Sequence, residues 1–364
     1  MQSALYRTFD ALPRSYNELM AAAGTQNLYF GRPWFDNLIQ TTLDEGDELL
    51  LFGVEDDGGN ARALLVARRR TGTGLFQSRT AENFTNFYTM IAGPVLWPKE
   101  EQLADVLSHL VRSVRTKFPS ANILRFPSMD PDTAMFPALK SALSSNGFMA
   151  VAEFGFVNWY EPCRDISYAA YVASLTSKTR NLIGRRTRKL EREFNIRWTL
   201  TDGGEGFDDA LSAYRTIYDH SWKIPESYPE FIAGFLRACA ETGALRLGIL
   251  YVDDEPAAAQ IWTITNGEAT IYKLAYDEKF KNLSVGSVLT AKIMEHVLDV
   301  DKPHTVDFGF GDDPYKKDWT RQRRERMNLI GFRTKTLLGA LAAGNFHARR
   351  IAASLRDWLR KTDT

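Results

Sequence analysis

Cysteine is almost missing from this 364-residue chain: Cys163 and Cys239 stand far apart, with no CxxC and no neighbouring histidine cluster. That excludes a structural zinc site and implies no disulfide framework. A prevailing charge is missing too. The 45 Lys+Arg balance 45 Asp+Glu, so no global field recruits nucleic acid or membrane, and any such role rests on a local patch. No run approaches the roughly 20 apolar residues of a spanning helix. Residues 1–14 lack the apolar core of a secretion signal, so a cytoplasmic location is the simplest expectation.

Several catalytic signatures are absent as well. The chain has no GxSxG nucleophile elbow, no GxxxxGK[ST] phosphate loop and no HExxH. Gly72-Thr73-Gly74 and Gly309-Phe310-Gly311 each begin a GxG but lack the third glycine. Triad hydrolase, P-loop NTPase, zinc enzyme and Rossmann dehydrogenase all lose support, and no metal is expected.

What is present is apolar material for a core, 44% hydrophobic and 12% aromatic, at a length comfortable for two domains. The pattern alternates strands and helices. In the second half 244–251 (ALRLGILY), 257–264 (AAAQIWTI) and 270–276 read as strands. They are joined by the turns Asp253-Asp254-Glu255-Pro256 and Asn266-Gly267-Glu268. A helix over 286–298 and a strand over 305–310 follow. The first half repeats the order: strands 48–54 and 61–69 around Asp56-Asp57-Gly58-Gly59, a strand at 87–91, a helix at 101–117 and a strand at 122–126. The offset of roughly 190 residues reads as a structural duplication; two unrelated α+β domains that share a common strand–turn–strand pattern are the other reading. The fold class expected is α/β with mixed sheets, two halves in tandem, each a mostly antiparallel twisted sheet flanked by helices. The boundaries expected are 1–160, 161–335 and a terminal amphipathic helix over 336–364.

A long helix over 168–193 carries Lys178, Arg180, Arg185, Arg186, Arg188, Lys189 and Arg192. Leu182, Ile183, Leu190 and Phe194 form its packing side. Its charge reads as a solvated face, a hold on an anionic donor or polysaccharide precursor, or a contact with tRNA phosphates. The terminal helix, with Leu338, Leu341, Ile351, Leu355 and Trp358 on one side, reads as a packing element. A peripheral membrane anchor is the other reading.

Chemistry concentrates between Tyr272 and Trp319. A strand runs into a polar turn, Ser284-Val285-Gly286, and a helix opens with Ser287 in its first turn. Helix N-termini bind phosphates through unpaired amides and the dipole, and Gly286 allows close approach; a plain Ser284 N-cap is the other reading. In the strand 305–310 the period of two places Val306, Phe308 and Phe310 toward the core and Asp307 with Gly309 on the opposite side. A polar, aromatic turn with Tyr315 and Lys316 follows.

These segments, together with Ser221-Trp222-Lys223-Ile224-Pro225-Glu226, Tyr272-Lys273 and Tyr276-Asp277, resemble the CelD-like acetyltransferases. That family belongs to the GNAT superfamily and is related to the Fem-type aminoacyl transferases. The resemblance covers roughly residues 160–332, and more loosely Asn83-Phe84, Tyr88-Thr89 and Gly93-Pro94. It implies tandem GNAT-like halves, an acyl-CoA donor (acetyl-CoA among the candidates) and an amine acceptor such as a sugar or cell-envelope precursor in exopolysaccharide synthesis. The typical R/QxxGxG/A loop is reduced to SVG, which keeps aminoacyl-tRNA open as donor. A non-catalytic binding protein is the third reading.

The implied acceptor side is Trp222, Lys223 and Glu226, with Tyr272 on the strand. Tyr315 and Tyr276 are candidate proton sources for a thiolate, although Tyr276 reads equally as a packed aromatic. Asp307 cannot simply deprotonate an alkylammonium, since that transfer is uphill by about 8 kcal/mol; it is expected to orient the amine. Lys316 offsets phosphate or oxyanion charge, a role taken from the resemblance, and its loss is expected to spare folding. The first half is expected to be a scaffold and acceptor wall.

Overall fold

The computed structural model describes residues 1–70 and 79–362, apart from the side chains of 353, 354 and 356–362. The turn Gly72-Thr73-Gly74 and the side chains of Arg356, Trp358 and Arg360 lie outside the described residues. The first half runs β1 (Gln2–Tyr6), α1 (Arg14–Gln26), α2 (Arg32–Thr42), β2 (Glu48–Glu55), β3 (Ala61–Arg69), β4 (Thr80–Asn83), β5 (Val95–Leu96), α3 (Leu103–Lys117), β6 (Ile123–Met129), α4 (Met135–Ser145) and β7 (Met149–Pro162). Asp56 closes the β2–β3 hairpin, its carboxylate accepting from the amides of Gly58 and Asn60 at 2.9 Å. The face of α3 that carries Val106, Leu107, Leu110, Val111 and Val114 is buried on this sheet.

The strand expected at 87–91 is instead a turn: the Asn86 side-chain oxygen accepts from the amide of Tyr88 at 3.0 Å, and the amide of Thr89 reaches the Asn86 carbonyl at 3.1 Å. Local side-chain bonding outcompetes the ladder there. The strand that follows the β2–β3 hairpin is β4.

The second half runs α5 (Tyr168–Ser174), α6 (Ser177–Glu193), β8 (Ile196–Thr201), α7 (Phe207–Asp219), α8 (Pro229–Glu241), β9 (Leu245–Val252), β10 (Glu255–Thr265), β11 (Glu268–Tyr276), α9 (Val285–His296), β12 (Thr305–Phe310), β13 (Gln322–Phe332) and α10 (Leu337–Thr362). Two-residue loops join β9, β10 and β11, and Asp253, Asp254, Asn266 and Gly267 all have positive φ, as tight hairpin turns require. The single basic helix expected over 168–193 is broken. Thr176 caps α6 by accepting from the amide of Thr179, and Arg180 donates to the carbonyls of Ala173 and Leu175 that the break frees.

All strands join one sheet in the order β1-β2-β3-β4-β6-β13-β7-β12-β11-β10-β9-β8, with β5 beside β3. The halves trade strands at the centre. β13, late in the chain, lies between β6 and β7, and β7 lies between β13 and β12. Each half has one parallel pairing of three residues: Thr80–Glu82 with Ile123–Arg125, and Glu268–Thr270 with Thr305–Asp307. Beyond it the two strands part.

One core lies between the halves and joins α1 and α2 to α7 and α8 through Trp34, Phe231 and Phe235. The outer faces are covered by α3 and α4 in one half and by α5, α6 and α9 in the other. The terminal helix α10 packs through Ala342, Ala343 and Phe346 on Ile330 and Phe332. Its expected packing side is turned out instead, with Leu341, Ile351 and Leu355 exposed. Small residues let the helix lie closer to the sheet than leucines would. Among the described residues no helix is long and apolar enough to cross a membrane.

Candidate functional site

Where β11 and β12 part, a cleft of about 200 Å³ opens, lined by Ile271–Leu274, Phe308 and Phe310 from the two strands. Lys223, Asp313, Tyr315 and Lys316 come from the surrounding loops, and Phe87, Tyr88 and Met90 from the first half. Bulges in both strands shape it. The β10–β11 register shifts at Ile261/Trp262 and leaves Tyr272 as the extra residue, which sharpens the twist and re-aims the backbone.

On β12 the register to β7 slips between Asp307 and Phe310. Gly309 takes φ +70°, and a Cβ there would stand 2.6 Å from the Ile271 carbonyl oxygen. This bulge corrects the expected alternation. Val306 and Phe308 are buried as expected, but Phe310 is 55% exposed and packs on Phe156 at 4.3 Å, because one extra residue reverses the face that follows.

Asp307 does not line the cleft. It is buried, and its carboxylate accepts from Asn158 (2.7 Å), the Gly309 amide (2.6 Å) and the Arg324 guanidinium (2.6 Å). These three bonds tie the bulge to β7 and β13. Burial would push the Arg324 pKa down, but Asp307 and Glu268 outweigh it and raise it. Lys316 touches the cleft but is buried: its ammonium donates to the carbonyls of Phe310 (2.7 Å), Gly311 (3.1 Å) and Gly309 (3.4 Å) and pairs with Asp313 at 3.2 Å. Burial lowers its pKa against the pull of Asp313. The expectation that its removal spares folding is revised, since the carbonyls of Phe310 and Gly311 would lose this charged donor, while that of Gly309 keeps Asn158 at 3.1 Å.

The wall toward the first half is a polar network. Glu226 accepts from the Tyr88 hydroxyl and pairs with Lys273. Burial raises the Glu226 pKa, but hydrogen bonds from Lys273 and Tyr88 outweigh it and hold it below the ordinary value. Lys223 and Lys273 are lowered by burial first, and Lys273 adds repulsion at Lys223. Tyr272 is buried with its hydroxyl on the Tyr88 carbonyl at 3.2 Å. Tyr315 is pushed up by burial and by Asp313, so its phenol stays protonated.

Tyr276 packs against the half-exposed Trp222, ring centroids 4.3 Å apart and tilted by 36°, and lies 3.4 Å from where a Gly286 Cβ would be. A chain of contacts therefore leads from the start of α9 through Tyr276 and Trp222 to Lys223 and the cleft. Ser284 precedes α9 with φ +58° and makes no side-chain capping bond, so the plain capping role read from sequence is not what it does. The first amides of α9 have no acceptor within the helix, and its first turn holds no acidic residue. Gln260, fully buried, donates to the Gly286 carbonyl (3.0 Å) and Thr290 (2.7 Å) and anchors this helix start to β10. Ser287 follows Gly286 in that turn. Along α6, Lys189 and Arg192 pair with Glu193, and Arg186 reaches the Asn282 carbonyl near the start of α9 at 3.4 Å.

Tyr88, Lys273, Asn158 and Arg324 were not chosen as site residues from the sequence. They stand 138, 47, 149 and 17 residues from the partners that reveal them, and Arg324 sits in a charged run that reads as surface.

Residues 177–317 match the family model of an acetyltransferase (GNAT) domain. No curated protein matches the chain. Among solved structures it is similar to FemX, with a TM-score of 0.61 at 11% identity over 91% of this chain and 97% of that one. A conserved protein of unknown function from Bacteroides thetaiotaomicron gives 0.56 at 11%, over 90% and 100%. The C-terminal domain of a protein assigned as a lysylphosphatidylglycerol synthetase, from Agrobacterium fabrum, gives 0.53 at 12%, over 87% and 92%. At these identities the likeness is one of fold, a mixed α/β chain built on one large sheet flanked by helices.

Proposed function

We propose that the protein is an N-acyltransferase that takes an acyl group from acyl-CoA and transfers it to an amine in the β11–β12 cleft. The observation that carries this reading is the start of α9: amides without intrahelical acceptors, a small residue at Gly286, no acid in the first turn, and an aromatic path to the cleft. Val285, Gly286 and Ser287 would hold the pyrophosphate, with Ser284 setting the turn. Trp222 and Tyr276 would flank the pantetheine arm, and the backbone beside the Tyr272 bulge would face the thioester carbonyl. Attack of the neutral amine forms the new C–N bond; collapse breaks C–S and releases the thiolate.

Donors aimed at the developing oxyanion are the largest available stabilisation, each worth about 3 kcal/mol. The cations of Lys223 and Lys273 add to that field. Tyr315, on the cleft wall and protonated, is the proposed source of the thiolate's proton. Glu226 stands behind Tyr88 and Lys273, which do line the cleft, and would hold those two groups in place while water carries the ammonium's proton. Asp307 and Lys316 act as positioning residues that fix the end of β12. In this proposal 1–160 is scaffold and acceptor wall, 161–335 carries the donor and 336–364 is a terminal helix. Envelope or exopolysaccharide precursors, met in the cytoplasm, are the proposed acceptors.

A transfer assay tests it: purified protein, acetyl-CoA and a panel of amino sugars and amino acids, read by release of free thiol. Acceptor-dependent release supports the reading. No release, with transfer from charged tRNA instead, moves the protein to the aminoacyl branch that the FemX likeness keeps open.

A further inference from the structure

The first half opens a cleft at the same topological place, where β4 and β6 part after their three parallel pairs. It is larger, about 410 Å³, and its lining differs in kind: Arg68, Arg70 and Arg125 face the single carboxylate of Glu82, with Asn86 and Phe87 at the rim. Arg68, Glu82 and Arg125 sit side by side on three neighbouring strands. Phe87 lines both clefts, so this one adjoins the proposed reaction site.

The donors here are only partly matched: Arg68 donates from Nη2 to the Thr85 carbonyl at 3.4 Å and lies over the Phe84 ring. Arg68 is 3% exposed, yet its Nε has no hydrogen-bond partner. Its ion contacts are long, 3.7 Å to Asp47 and 3.5 Å to Glu82, against about 2.7–2.9 Å for a well-made charged pair. The Asn86 side-chain NH2 is also buried without a partner. Its orientation is fixed, because the oxygen of that amide already accepts from the Tyr88 backbone. Buried donors left open cost free energy unless something supplies oxygen atoms.

We propose that this cleft is a subsite for an anionic group of the acceptor, a carboxylate or a phosphate, received by Arg68, Arg125 and Asn86 while the acceptor's amine reaches past Phe87 to the thioester. Guanidinium forks suit both anions bidentately. The inference rests on the acyl-transfer reading for the word acceptor, not for the binding of the anion.

The test titrates the full chain with inorganic phosphate in one arm and succinate in the other, at constant ionic strength, with CoA affinity measured on the same samples. Two variants carry it. Arg125→Gln removes an exposed cation. Asn86→Asp keeps the oxygen that holds the turn but replaces the open donor with a charge that repels. Saturable binding of one anion, weakened tenfold or more in both variants with CoA affinity unchanged, is the expected result. The arm that saturates tells a phosphorylated acceptor from a carboxylated one. No saturable binding in the wild type, or equal binding in the variants, overturns the subsite. Loss of CoA binding in the wild type overturns the transfer reading alone.

Discussion

The two halves distribute charge differently on one frame. In the second half the helix after the sheet hairpin, α9, begins with Ser284-Val285-Gly286 and no acid in its first turn. In the first half the corresponding helix, α3, begins behind Glu100 and Glu101. Glu100 itself accepts from the Gln102 amide at 2.9 Å, and Asp105 lies in the first turn. A phosphate would be drawn to one helix start and repelled from the other. The clefts differ the other way: the first-half cleft carries three arginines, whereas the second-half cleft is half apolar and lysine-edged. The two clefts occupy the same topological place and differ in the charges that line them.

The comparison can be broken first at its centre. Arg125 and Asp307 occupy corresponding positions, the last residue of each parallel pairing. Asp307→Ala takes from Arg324 one of its two carboxylate partners, the other being Glu268 at 3.1 Å, and leaves the Gly309 amide of the bulge unpaired; it should cost about 2–3 kcal/mol. Arg125→Ala, at an exposed position, should change stability little. Urea denaturation of both variants checks this, and equal losses would mean that the halves are not built differently at this row.

Next in size is Lys316→Ala, expected to cost about 1–3 kcal/mol in the same measurement together with a drop in turnover, since the carbonyls of Phe310 and Gly311 lose a charged donor. Gly286→Val should lower CoA affinity roughly tenfold, about 1.4 kcal/mol, with an unchanged melting temperature. Its side chain would crowd Tyr276 and the helix start.

The smallest effect is a pH limb. The Glu226 pKa is held below its unfolded value of about 4.3, so the stability it contributes is present above that value and is lost as pH falls through the folded one. Glu226→Gln should flatten the fall in melting temperature below about pH 4; an unchanged slope would place the acid sensitivity elsewhere.

Much of the fold was legible because its turns are chemical. Asp253-Asp254 and Asn266-Gly267 tolerate positive φ, and α3 declares its buried face by spacing. The strand exchange was not legible, since nothing local in Met149–Pro162 or Gln322–Phe332 says that each lies beside the other half's parallel pair. The misreadings share a cause. Asn86 bends its backbone by side-chain hydrogen bonds, and Gly309 inserts a residue that flips Phe310 outward, and both defeat a simple period of two. Asp307 was found by its strand position, but its partner Arg324 comes from β13, the exchanged strand, so its role emerged only in three dimensions.

Hydrogen exchange with and without CoA tests the central claim most directly. The account predicts CoA-dependent protection of the amides over 284–288 and 271–276, with none over 100–106 at the start of α3. Protection at α3, or at neither helix start, would contradict it.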